Sequence, residues 1–142
     1  MLKSGARVDA IDSAGQTALM HAAAAGRVDN LRLLLAHGAA VNRVTPGGFT
    51  ALFFALKSGN PVASLTVLDA GGDAHHVGPE GTTAVQLAMY QNDYAFAARM
   101  ILAGADLAAL DRNGNTLLHA AVLAHQPQLV TLLLQRGATP MR

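Results

Sequence analysis

The chemistry-bearing residues of this 142-residue chain are its six histidines, His21, His37, His75, His76, His119 and His125. A metal site needs ligands spaced to converge, as two histidines do at i, i+4 on a helix. His75 and His76 are adjacent, and neighbouring residues in an extended segment point to opposite sides, so they do not share an ion readily. Ser, His and Asp are all present, but no G-x-S-x-G elbow and no G-x-x-x-x-G-K-[ST] phosphate loop occurs in the chain. Gly47-Gly48 and Gly71-Gly72 sit where a turn and a helix end are expected, not in a phosphate cradle. The chain has no cysteine, which removes thiolate nucleophiles, thiolate metal sites and disulfides. The expectation is therefore no catalysis, no metal and no cofactor.

The bulk composition narrows the remaining classes. Hydrophobic residues make up 51% of the chain and charged residues 13%, which is the wrong balance for a disordered tail. Ten Lys and Arg against nine Asp and Glu give a net charge of +1. That lacks the basic footprint of a nucleic-acid binder, and no Lys/Arg run suggests docking to an anionic membrane. No apolar run approaches the ~18 residues of a membrane span, and the first seven residues have no signal-peptide core. A cytoplasmic location is the expectation.

The elements that position these residues follow from a strict internal period. Thr17, Thr50, Thr83 and Thr116 stand 33 residues apart, as do Gly38, Gly71, Gly104 and Gly137, and Gly15, Gly48, Gly81 and Gly114. A fixed period of this size marks a repeat architecture. Each Thr precedes a short apolar stretch and can cap a first helix, rich in Ala (Ala22-Ala23, Ala55, Ala120-Ala121). Gly26, Gly59, Asn92 and His125 then break the chain with residues that tolerate positive φ. Pro61 and Pro127 suit the first position of a second helix, which carries the leucine clusters and ends at the glycines of the 38, 71, 104 and 137 series.

These residues resemble the ankyrin repeat. Asp12-Ser13-Ala14-Gly15-Gln16-Thr17-Ala18-Leu19 and Asp111-Arg112-Asn113-Gly114-Asn115-Thr116-Leu117-Leu118-His119 follow its pattern most closely. Ala or Leu stands where the family has Pro after the Thr, and Thr45 and Gly78 open their units in place of Asp. The resemblance implies an all-α solenoid of stacked helix-turn-helix units with β-hairpin-like tips, forming one domain over residues 1–142. Its units would be a stub at 1–11 and repeats at 12–44, 45–77, 78–110 and 111–142. His119 falls on a position where the family carries a structural histidine that ties turns together.

By the same resemblance, the chain is a non-catalytic module that binds another protein or peptide along its concave face and hairpin tips. Framework positions recur in register while the positions between them vary, and the variable ones sum to one surface. The candidate contact residues there are Phe49, Lys57, Glu80, Tyr90, Gln91, Arg112, Asn113, Asn115 and Leu123. Phe49 is expected to be exposed, because its counterparts Gln16, Thr82 and Asn115 are polar. Tyr90 shares its position with Ala24, Lys57 and Leu123 and is a groove aromatic of the kind that dominates interface energies. Phe53, Phe54 and Phe96 are expected in the core.

The stub supplies a tip but no first helix, so the chain reads as a piece of a longer array or as one whose first face is covered by something else, ahead of a naturally open end. With that neighbour missing, Leu19, Leu31 and Leu34 are expected to expose part of their surface. The alternative to partner binding is a structural role: self-association through this uncapped N-terminal face, or service as a regulatory segment of a larger polypeptide.

Overall fold

In the computed structural model, residues 8–103, 107, 110 and 114–137 are described. Gly104, Arg112 and Asn113, on which parts of the sequence reading fall, lie outside them. Eight α-helices occur among the described residues: α1 (Ala18–Ala24), α2 (Val28–Ala36), α3 (Ala51–Ser58), α4 (Pro61–Asp69), α5 (Ala84–Tyr90), α6 (Tyr94–Leu102), α7 (Leu117–Leu123) and α8 (Pro127–Gln135). They pair as α1/α2, α3/α4, α5/α6 and α7/α8, an all-α repeat solenoid in type. The chain divides into two compact units, Met1–Ala84 and Val85–Arg142.

The helices start and stop where local chemistry dictates. The hydroxyls of Thr17, Thr50 and Thr116 accept from the backbone N–H of Met20, Phe53 and His119 at 3.3, 3.4 and 3.4 Å. Each thereby satisfies an N–H that the first helical turn leaves orphaned. At Thr116 the cap is reciprocal: Nδ1 of His119 lies 3.1 Å from the Thr116 N–H that donates to it. Met20 sulfur takes the same role for the Thr17 N–H at 3.4 Å. The break within each helix pair falls on a left-handed residue, and Asn92 (φ 59°) and His125 (φ 56°) adopt there what Gly26 and Gly59 adopt elsewhere. Pro61 and Pro127 open α4 and α8.

In the first unit, α1 packs on α2 and α3, and α4 packs on both α2 and α3. Leu19, Leu31, Leu52 and Val67 are completely buried there, and Ala23, Ala55 and Ala63 let the helices approach closely. Full burial of each large side chain contributes on the order of 1.5–3 kcal/mol. The second unit has its own core of Ala88, Phe96, Ala97, Ala121 and Leu133, with α8 packed on α6 and α7. The expectation that Leu19, Leu31 and Leu34 meet water is wrong: they are 0%, 0% and 8% exposed. They are buried where α1 packs on α2 and α3 and where α2 packs on α4. The outward face of the first pair is formed instead by residues such as Ala18 and Leu33, the latter 53% exposed.

The tips are closed turns. In three of them the first residue's N–H donates to the carbonyl four residues on, and the third residue after it donates back: Asp12 with Gln16 and Gly15, Thr45 with Phe49 and Gly48, Gly78 with Thr82 and Gly81. The glycines at 15, 48 and 81 all have positive φ, which closes the turn within so few residues. Among the described residues no named strand forms, and the one β-pairing is an isolated bridge between Val77 and Thr83. So short a turn consumes the backbone groups that a β-ladder would use.

Hydrogen bonds 31 residues apart tie successive tips. Asp9 Oδ1 accepts from the Ala40 N–H at 2.7 Å, and one repeat later Asn42 Oδ1 accepts from the Asp73 N–H at 2.6 Å. The opening of residue 78 by Gly has a steric cause. A Cβ at Gly78 would lie 2.5 Å from the Phe53 ring, closer than real contacts allow. Phe53, 1% exposed, fills the space that a side chain at 78 would need, and its ring meets His76 edge-on at 5.6 Å.

Asp12 shows how a tip responds to pH. Its Oδ1 accepts from the N–H of Gln16 (3.0 Å) and Ala14 (2.9 Å), and Oδ2 meets His21 Nε2 at 2.7 Å. The Gln16 hydrogen bond first, then the His21 contact, hold its carboxyl below the ordinary value of 3.8. A depressed folded-state pKa stabilises the fold above the unfolded value and loses that contribution as pH falls through the folded value. Acidification below about pH 4 should therefore loosen this tip first. Protection of the Ala14 and Gln16 amides, taken relative to their intrinsic exchange rates, should fall there, and Asp12→Asn should remove that fall over the same interval.

Candidate interaction surface

Two patches gather most of the candidate contact residues, one in each unit. In the first unit, Phe49 precedes the α3 cap and is half-buried, not exposed as its polar counterparts suggested. The reason lies on α3. Phe54 and Lys57 are three residues apart and share a helix face. The Phe49 ring packs against Phe54 at 5.6 Å between centroids, tilted by 37°, and Lys57 Nζ lies 4.8 Å above it. A cation over an aromatic face contributes on the order of 0.5–1 kcal/mol at an exposed site. Phe54 was expected in the core but is only half-buried, while Phe53 and Phe96 are buried as expected.

In the second unit, Tyr90 ends α5 and is 43% exposed, and Leu123 ends α7 and is 68% exposed. Together with Asn115, which is half-buried before the α7 cap, they line a cleft of about 280 Å³ between α5 and α7. Its floor is apolar, with Met89, Leu117 and Ala120 among its residues. Gln91 is exposed just beyond α5, outside this lining. Glu80 lies in the short 3₁₀ turn Pro79–Gly81, and its side chain is outside the described residues. Met89 and Ala120 were not picked out as contact residues from the sequence, and Phe54 was placed in the core instead. The signal that could have found them is the comparison of Ala120 with Phe54, which hold the same position two repeats apart.

The histidines are dispersed in role. His76 Nε2 lies 2.9 Å from the Gly48 carbonyl oxygen, tying two tips, while His75 is exposed and its N–H donates to Asp73 Oδ1 at 2.9 Å. His37 Nδ1 lies 2.9 Å from the Leu33 carbonyl oxygen at the end of α2. His119 has the capping role described above. No group of three or more His, Asp or Glu side chains converges among the described residues. No helix among them is long and apolar enough to cross a membrane.

Thr-capped helix pairs repeating every 33 residues, broken by left-handed residues and joined by closed tips, define a repeat protein of the helix-pair class. The chain belongs to the ankyrin-repeat family: the family model for ankyrin repeats (3 copies) matches residues 1–68 and 62–142. No curated protein matches the chain. Ankyrin repeats are generally protein–protein interaction modules, and the family is typically non-catalytic.

Proposed function

We propose that the chain binds a protein partner through the tip-and-first-helix face of its repeats, with Tyr90, Leu123 and Asn115 as the anchor in the second unit and Phe49 with Lys57 in the first. The observation that carries this reading is the exposure of Tyr90 and Leu123 beside an apolar cleft. Neither side chain is needed to complete a helix or a turn, and large apolar groups so placed mark interaction sites. Glu80, Gln91, Arg112 and Asn113 flank these anchors in sequence and complete the proposed contact set. Affinity capture from the source cell with the native chain and with Tyr90→Ala, side by side, tests it. A protein retained by the native chain and lost by the variant supports the reading. Identical sets of retained proteins overturn it.

A second reading, self-association, is favoured by a separate observation. Ala18, Ala22, Asn30 and Leu33 help line an apolar hollow of about 450 Å³ on the outward face of α1 and α2. The residues 33 positions on from Ala18, Ala22 and Asn30, namely Ala51, Ala55 and Ala63, are 1%, 0% and 0% exposed. The first pair thus presents the surface that the second pair buries. In the second unit, Val122 of α7 is 55% exposed, although Ala23, Leu56 and Met89 at its position are 0–8% exposed. A second copy that docks its α7/α8 face on the α1/α2 face of the first would cover both. Mass by light scattering should then rise with concentration, and amide exchange in residues 12–44 should slow as it does. A mass constant over the concentration range, with exchange unchanged, rules self-association out.

A further inference from the structure

The cleft between α5 and α7 has an internal counterpart that indicates what fills it. Sixty-six residues earlier, at the same positions of the repeat 45–77, Asn115 is matched by Phe49, Ala120 by Phe54 and Leu123 by Lys57. In the first unit the two phenylalanine rings pack against one another at these positions, tilted by 37°, with the Lys57 cation over Phe49. The second unit has an amide and a methyl where those rings stand. The space is left as a cleft of about 280 Å³. Its one aromatic, Tyr90, stands on the opposite wall, at the position of Ala24. The cleft therefore lies at positions that the repeat 45–77 fills with two rings and that here carry only an amide and a methyl.

We propose that this cleft is a binding site for a single aromatic side chain presented by a protein or peptide partner. The inference rests on the protein-binding reading above and specifies its anchor. Size and chemistry agree with it. A volume near 280 Å³ lies just below the range of about 300–1,000 Å³ typical of drug-sized ligands, and an apolar cavity of about 150 Å³ suffices for benzene. Met89, 8% exposed, places a thioether in the floor and Tyr90 a ring in the wall. Both groups prefer an aromatic neighbour to an aliphatic one. Leu117, 3% exposed, anchors the floor in the core, so the site is preformed on two helices.

The test uses the whole chain and blocked amino acids as probes: N-acetyl-phenylalanine amide and N-acetyl-leucine amide, titrated by methyl NMR. The phenylalanine probe should shift the methyl resonances of Met89, Ala120 and Leu123. The leucine probe should bind about 3- to 10-fold more weakly. Ala120→Phe restores the first unit's own residue and should abolish the shifts. Asn115→Phe, at a half-buried position outside the helix, does the same from the rim and serves should Ala120→Phe fail to fold. Absence of shifts at these methyls, equal binding of the two probes, or shifts that survive filling of the cleft in a folded variant would each overturn the proposal. Probe binding does not depend on any partner. Probes that bind to a chain whose protein captures ignore Tyr90→Ala would therefore sink the partner-binding reading and leave the cleft assignment standing.

Discussion

Tyr90→Ala should weaken binding of the partner protein by more than about 1 kcal/mol and leave the melting temperature nearly unchanged. Tyr90 is 43% exposed at the end of α5, more open than half-buried Phe49, so truncation costs the fold less there. What it removes is a rigid ring that a partner can cover, and such rings dominate interface energies. Phe49→Ala should behave differently. That ring is already half-buried against Phe54 and under Lys57, so part of its loss is felt by the chain itself. Binding and melting temperature should both fall, and the ratio of the two effects distinguishes a contact residue from one that shapes the contact. Isothermal calorimetry with the captured partner, paired with thermal unfolding of the free chain, measures both. A large loss of stability with Tyr90→Ala, or unaltered affinity with both variants, would remove these residues from the proposed surface.

Phe53→Ala should destabilise the first unit by about 3–5 kcal/mol, the cost of emptying a core aromatic site. Phe53 is 1% exposed, its edge meets His76, and its ring lies where a Cβ at Gly78 would go. Total stability of a domain is commonly about 5–15 kcal/mol, so a loss of this size is a large share of it. Gly78→Ala in the native background should cost about 1–3 kcal/mol, because a methyl group is forced into an occupied space. The two changes share that space. The double variant should therefore be more stable than the sum of the single losses allows, and chemical denaturation of all four chains gives the coupling directly. Strict additivity would show that Phe53 and Gly78 do not compete for the same volume.

The backbone was legible in the sequence because it is governed by local chemistry. A Thr three residues before an orphan N–H, a Pro at a helix start and a residue that tolerates positive φ each act within one turn. Thr17, Pro61, Asn92 and His125 all take the roles that their types imply. Side-chain placement was less legible because it depends on residues distant in sequence. Phe49 looked exposed beside polar counterparts, yet Phe54 and Lys57 draw its ring down onto α3. Leu19, Leu31 and Leu34 looked half-bare because one neighbour seemed missing, yet the pairing of α1 with α2 and their packing on α3 and α4 bury them. The sequence shows Gly in place of Asp at residue 78 but not the reason for it. Its cause, the Phe53 ring, lies 25 residues away and leaves no trace in the local pattern. The cleft at Tyr90 was half legible: its exposed rim was predicted, while its floor is visible only when Ala120 is set against Phe54.

The fit between Phe53 and Gly78 also limits how such a gene can be rearranged. Repeats of one length and one register invite duplication and shuffling, since any unit could in principle follow any other. The segment 45–77 is an exception. Its Phe53 ring fills the place where the next unit's opening side chain would stand, so its successor must open with glycine. Moved in front of the segment that opens with Asp12, it would confront a carboxylate-bearing side chain with a buried ring. Recombination that cuts between residues 53 and 78 separates the two partners and leaves either an unfilled space or a clash, whereas exchange of the whole stretch carries both. The pair would thus be inherited as one block.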